Sequence, residues 1–215
     1  METIKQAQVI NWLEKTAHVI GENKDYLTKL DSDIGDADHG FNMERGFNKV
    51  LEKINELAAS EDLQAVLKNT GMTLLSSIGG ASGPLYGSFF LQAALPLEGK
   101  TELTVEDLAN SFGKGVDGIK ARGRASKGEK TMIDTLEPAI DALLLSVKNK
   151  DSIETALSNM LAAAEEGMKF TIDMIATKGR ASYLGDRSIG HQDPGATSSF
   201  LILKTLKESI IQPNS

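Results

Sequence analysis

Apolar residues recur along most of this chain at intervals of three and four. Ile10, Leu13, Ala17 and Ile20 form one stripe, Phe47, Val50, Leu51 and Ile54 a second, and Leu63, Val66, Leu67, Thr70 and Leu74 a third. Val105, Leu108, Phe112, Val116 and Ile119 repeat the pattern, and Phe200, Leu201, Leu203, Leu206 and Ile210 close it. Ile153, Leu157, Met160, Leu161, Ala164 and Met168 predict a long helix running to Ile175. Such spacing puts each set on one face of an α-helix. Thr104 with Asp107 three residues later reads as a capping box, and Asp151 before Ile153 as an acidic first turn. No sustained polar–apolar alternation marks a half-buried strand. The expectation is an all-α fold of about eight helices in a bundle-like array, with residues 1–215 as one domain.

Four stretches break the period: Leu30 to Asn42, Ile78 to Gly87, Gly118 to Thr131 and Thr177 to Gly195. Helical bundles usually connect their helices in two to eight residues. Longer connections rich in Gly, Asp, Arg and His tend to carry function.

Composition narrows the chemistry of those loops. The 215 residues include no cysteine, which excludes a disulfide scaffold, a thiolate metal site and a cysteine nucleophile. It also fits a reducing cytoplasm, the expected location. No apolar run approaches the roughly 18 residues of a membrane span, and Met1-Glu2-Thr3-Ile4-Lys5-Gln6 is polar and amphipathic, unlike a signal peptide. A net charge of −7 argues against a nucleic-acid surface. It leaves room for a small phosphorylated ligand whose charge a divalent cation neutralises locally.

The first loop packs Asp31, Asp33, Asp36 and Asp38 into eight residues ahead of His39 and Gly40. Such a cluster is either a fully solvated acidic turn or a site for a hard cation that takes oxygen ligands. An EF-hand fits poorly, because Gly35 and Asn42 stand where oxygen ligands are required. Mg²⁺ fits better, since it needs few carboxylates and completes its shell with water and phosphate. His39 could orient an oxygen ligand, bond a phosphate or cap a helix. His18, on the first helix, reads as a packing or surface residue.

The second loop, Gly79-Gly80-Ala81-Ser82-Gly83-Pro84, precedes a helix expected to start near Pro84. Small residues let backbone N–H groups approach an anion at a helix N-terminus, and Ser82 could add a hydroxyl. It is neither a Walker A loop nor a dinucleotide fingerprint; close helix packing is the alternative. The stretch from Ala121 to Met132 is basic, and reads as a solvated connector or as a lid with Met132 packing on a base. The last loop places Arg180, Arg187, His191 and Asp193 between two helices, with Asp193-Pro194-Gly195 turning into the final one.

Taken in register, Ile34-Gly35-Asp36-Ala37-Asp38-His39-Gly40, Gly79-Gly80-Ala81-Ser82-Gly83-Pro84, Lys130-Thr131-Met132 and the block from Lys178 to Gly195 resemble the nucleotide-binding L subunits of dihydroxyacetone kinases, over essentially the whole chain. The resemblance implies an eight-helix antiparallel barrel holding ADP or ATP and two Mg²⁺ at one end. It implies metal ligation by Asp31, Asp36 and Asp38, with Asp33 outside the set. It implies nucleotide contacts at His39, Gly40, Phe41, Asn42, Ala81, Ser82, Gly123, Met132, Arg180, Asp193, Pro194 and Gly195. The poorest match is Arg122 to Gly128, the family's lid region, which contains Gly123. A chain of this length is similar to the form driven by the phosphoenolpyruvate-dependent phosphotransferase system. There ADP stays bound as a coenzyme and a phosphohistidine protein, the M subunit, recharges it. The phosphoryl group then passes to dihydroxyacetone on a separate K subunit. Three other readings stand beside this one. They are a kinase component that exchanges ADP for ATP, a nucleotide-sensing module that binds a transcription regulator, and an Mg²⁺-dependent hydrolase.

Overall fold

The computed structural model describes residues 2–60 and 62–211. Ten α-helices are present among them: α1 (Gln6–Glu22), α2 (Lys24–Ile34), α3 (His39–Glu52), α4 (Ile54–Ala58), α5 (Leu63–Ser77), α6 (Ser82–Ala94), α7 (Val105–Gly123), α8 (Ile133–Asn149), α9 (Ile153–Phe170) and α10 (Pro194–Ile211). Eight of them close a ring in which each packs on the next: α1, α3, α5, α6, α7, α8, α9, α10 and back to α1. Helix α2 lies against α3 and α10, and the five-residue α4 bridges α1 and α5. The all-α expectation holds. Two-residue strands β1 (Ile4–Lys5) and β2 (Glu102–Leu103) pair antiparallel, too short to leave an alternation in the sequence.

Apolar stripes turn inward and fill the ring. Trp12 meets Phe90 and Phe112 at 5.7 Å each, and Phe89 meets Phe90 edge-on at 5.3 Å. Polar groups in this core are satisfied: Trp12 Nε1 donates to the Ile202 carbonyl at 2.9 Å, and the Thr16 and Thr205 hydroxyls pair at 2.7 Å. These bonds set the register of α1 against α10, which the apolar pattern alone leaves free.

The termini depart from the pattern in instructive ways. Thr104 and Asp107 do form the capping box of α7, but α9 is capped by Ser152, whose side chain accepts the Thr155 N–H, rather than by Asp151. Helix α9 ends at Phe170, where a short 3-10 turn, Thr171–Asp173, takes over, so the helix does not reach Ile175. Ile54, counted with the second stripe, belongs to α4. The supposed loops are also shorter. Only Gly35–Asp38 and Ile78–Ala81 remain non-helical in the first two, and a 3-10 segment, Arg180–Ser188, occupies the middle of the last.

Pro138 sits inside α8. Without an N–H it cannot bond the carbonyl four residues back, that of Asp134. Gly167 of α9 lies against that freed carbonyl: a Cβ there would stand 2.0 Å from Asp134 O. Helix propensity favours Gly167→Ala by about 1 kcal/mol, yet backbone against Cβ at that distance forces α8 and α9 apart. The expected outcome is a net loss of about 1–3 kcal/mol, read as a lowered urea midpoint. A gain in stability would contradict the close approach.

Candidate functional site

Helix α2 ends in a carboxylate that starts α3. Asp31 Oδ2 accepts the N–H of Asp38 at 2.8 Å and of His39 at 3.1 Å, capping the first turn of α3 from the preceding helix. The chain therefore turns within four residues, through Ala37 in a left-handed conformation. The turn depends on Gly35, whose Cβ would lie 2.0 Å from Asp31 Oδ1. Asp31 is buried, whereas Asp36 and Asp38 are exposed, and one oxygen from each of the three lies within 4.8 Å of the others. Asp33 faces away: it bonds Lys29 Nζ at 2.6 Å and sits 3.8 Å from His191 Nδ1. The Lys29 hydrogen bond chiefly holds its carboxyl below the usual range. Asp36 meets Arg180 at 2.9 Å.

These oxygens suit a hard divalent cation. With Oδ2 of Asp31 engaged by two backbone N–H groups, Oδ1 remains for a ligand, and all donors are carboxylates, as Mg²⁺ prefers. One nearby guanidinium does not balance three converging negative charges.

The trio lines a cleft of about 570 Å³, a size typical of small-ligand sites. Ala81 and Ser82, at the start of α6, line it, as do Arg180, Asp193, Pro194 and Gly195. Leu85, Ile119, Ala125, Met132 and Ile133 add apolar surface to the lining, and Arg122 and Lys178 add positive charge. The cleft thus joins converging carboxylates to both basic and apolar side chains.

Of the residues singled out from sequence, Gly40, Phe41 and Asn42 are not among the lining. Gly40 packs α3 onto α2, its Cβ position 2.0 Å from the Lys24 carbonyl. Phe41 is exposed, with Lys24 Nζ over its ring at 5.3 Å. Asn42 is buried and accepts a 2.6 Å bond from Arg45, which also reaches the Ser77 carbonyl at 2.9 Å. That pair props the glycine loop from below.

His39 does line the cleft but is 7% exposed. Burial pushes its pKa down to about 4, against the opposing charges of Asp31 and Asp38, so the ring is neutral at pH 7. Its Nδ1 lies 3.1 Å from Ser82 Oγ and its Nε2 2.8 Å from Ser198 Oγ.

Sequence reasoning missed Lys130. The connector after α7 is not simply solvated: Lys130 is 1% exposed, with φ of 62°. Its ammonium donates to the carbonyls of Thr171 at 2.6 Å, His191 at 2.5 Å and Met174 at 3.2 Å. Burial lowers its pKa, opposed by Asp193 and Asp173. Asp134 holds the same connector by accepting the N–H groups of Gly128 at 2.5 Å and Thr131 at 2.8 Å. Asp193 caps α10 through the Ala196 N–H at 2.7 Å, and burial raises its pKa to about 7 despite that bond and the Lys130 charge. Tyr86, also missed, lies in the lining with its hydroxyl 2.7 Å from Ser198 Oγ. A lysine in a Gly-rich segment and a tyrosine on an apolar helix carried no periodic signal. Both stood inside or beside the motifs without one of their own.

No helix among the described residues is long and apolar enough to cross a membrane. The family described as DAK2 domain matches residues 33–208. The chain is 48% identical over 204 residues to the "PEP-dependent dihydroxyacetone kinase, ADP-binding subunit DhaL" of Escherichia coli K12, covering 95% of this chain and 97% of that protein. A Listeria innocua subunit named in the same way, of kinase 2, is 43% identical, with 92% of each chain covered. Among solved structures, the dihydroxyacetone kinase of C. freundii in complex with AMP-PNP and Mg²⁺ superposes with a TM-score of 0.74 at 26% identity. That likeness covers 97% of this chain but 35% of the C. freundii chain, so this chain spans about a third of the solved kinase. With a family match over most of its length and relatives of its own size, the chain belongs to the DAK2 domain family.

Proposed function

We propose that this chain is the ADP-binding subunit of a phosphoenolpyruvate-dependent dihydroxyacetone kinase. It holds Mg-ADP as a coenzyme, receives a phosphoryl group from a phosphohistidine protein, and passes it to dihydroxyacetone held on a separate K subunit. The observation that carries this reading is the convergence of Asp31, Asp36 and Asp38 in a cleft that is also lined by apolar side chains. The similarity to ADP-binding subunits of the same length supports it.

Each part of the cleft meets a part of a nucleoside diphosphate. Met132, Leu85 and Ile119 offer a dry surface for the base. Ala81 and Ser82 begin α6, whose first N–H groups have no partner within the helix and so favour phosphate oxygens. Arg180 brings a guanidinium to the same end, already paired with Asp36. Asp31 through Oδ1, Asp36 and Asp38 would hold Mg²⁺. Bound there, the cation neutralises the phosphates and spreads the charge that develops on a moving phosphoryl group.

Phosphoryl transfer asks chiefly for positioning and charge stabilisation, and the chain's groups fit that task. His39 is buried, neutral and engaged at both ring nitrogens, so it does not serve as a general base. The accepting hydroxyl and the groups that activate it would then come from the K subunit, and dihydroxyacetone would not bind in this cleft.

Two substitutions test the ligand set. Asp36→Ala should weaken Mg-ADP binding by about a hundredfold or more, since residues that merely orient metal ligands already cost 10–100-fold. Phosphoryl transfer should fall with it. Asp33→Ala should change binding by about threefold at most, because its partner is an exposed lysine. Equal losses in isothermal titration would show that the wrong carboxylates were assigned. Retention is tested optically. With one Trp and three Tyr, the protein absorbs weakly in the near ultraviolet. Protein purified through gel filtration should carry a visible adenine band, and chelation with EDTA should remove it. An adenine-free spectrum from cells rich in nucleotide would count against a retained coenzyme.

A further inference from the structure

A line of hydrogen bonds leads from the cleft into the core. It passes from Ser82 Oγ to His39 Nδ1 at 3.1 Å, and from His39 Nε2 to Ser198 Oγ at 2.8 Å. Ser198 Oγ lies 2.7 Å from the Tyr86 hydroxyl, which is 3.0 Å from Ser199 Oγ. Ser198 Oγ also stands 3.1 Å from the Pro194 carbonyl and 3.2 Å from that of Gly195. Every one of these serines except Ser82 is buried.

Counting protons orders the line. A carbonyl only accepts, so Ser198 turns its single proton to Pro194 at 3.1 Å and Gly195 at 3.2 Å, the latter also within 3.2 Å of the Tyr86 hydroxyl. Its two lone pairs then take two donors. Its two nearest neighbours are His39 Nε2 and the Tyr86 hydroxyl, so both donate to it. Tyr86 in turn accepts from Ser199. The opposite tautomer would turn the Ser198 proton onto Nε2 and leave its oxygen facing the Pro194 carbonyl at 3.1 Å with no proton between, while Gly195 could draw only on the Tyr86 hydroxyl.

We infer that Ser198, itself fixed by the α10 carbonyls, holds His39 as the Nε2–H tautomer, so that Ser82 donates its only proton to Nδ1 and turns bare lone pairs toward the cleft. Ser198 is then a positioning residue that acts through His39. The consequence, which rests on the nucleotide reading above, concerns what Ser82 recognises. Phosphate oxygens cannot donate, so Ser82 is not their hydroxyl donor. They are left to the backbone N–H groups of α6 and to Arg180. Ser82 instead faces a cation or a donor group of the ligand.

Nitrogen NMR of the nucleotide-free protein tests the assignment directly. With His18 and His191 replaced by Gln, His39 is the one remaining histidine of the three. Two-bond proton–nitrogen correlations at neutral pH are expected to place the proton on Nε2; a proton on Nδ1 overturns the inference, whatever the ligand. Ser198→Ala, which removes the acceptor, is expected to move population toward Nδ1–H, while Tyr86→Phe keeps Nε2–H. An unchanged Nε2–H signal in folded Ser198→Ala overturns the role of Ser198. Calorimetry of Ser82→Ala adds the ligand arm. Affinity is expected to fall several-fold for ADP with Mg²⁺ and to change less for ADP alone, and an equal fall in both overturns the lone-pair role. If the parent protein binds no nucleotide, the proposed function fails while the spectrum still decides the tautomer.

Discussion

Two backbone N–H groups on one carboxylate oxygen hold this site together. By accepting from Asp38 and His39, Asp31 closes the corner between α2 and α3. The same contact draws Asp36 and Asp38 next to Asp31 and sends His39 inward. It also creates the site's central tension. Unit charges about 4 Å apart repel by about 4 kcal/mol at an effective dielectric near 20. A helix N-terminus offsets only about 0.3–1 kcal/mol of that. Arg180, at 2.9 Å from Asp36, relieves part of the remainder, and its exposure limits how much. The corner is therefore built to receive further positive charge.

The rest of the ring supplies rigidity around that corner. Lys130 is a buried charge with all three protons given to carbonyls of the segment after α9. This ties the segment carrying Thr131 and Met132 to the one carrying Asp193, Pro194 and Gly195, all of them in the cleft lining. Its left-handed backbone is an uncommon conformation for a side chain of this kind and persists because these bonds over-determine it. The cleft is bounded by anchored segments on both sides, although two of the supposed loops look irregular in sequence.

Much of this was legible beforehand, and the failures have physical causes. Every apolar residue of the stripes named from the sequence is helical, although the second stripe crosses from α3 into α4, since burying one face at a 3.6 period is a local requirement that the ring satisfies. Irregularity was over-read in Leu30 to Asn42. The last turn of α2 carries a buried Asp31 and an Asp33 turned the other way, so its acidic residues read as a loop, yet it is helical. The long helix expected to reach Ile175 stops at Phe170, because the Thr171 hydroxyl and carbonyl are drawn into bonds with Met168 and Lys130. The aspartates stand out in the sequence as a cluster, and in the structure three of them converge while the Asp33 side chain turns to Lys29. Gly40, Phe41 and Asn42, which the resemblance places at the nucleotide, follow His39 on α3 but lie outside the cleft lining, since successive residues of a helix point in different directions.

From sequence alone came the helical class, the order of elements, and the presence of acidic and small residues at the helix junctions. These depend on local spacing, which the chain carries everywhere. Only the closed ring decided that His39 meets Ser198 from 159 positions away, and that Lys130 lies inside rather than in water. Those outcomes come from contacts between helices remote in sequence, and no local period encodes which distant side chain will stand at hydrogen-bonding distance.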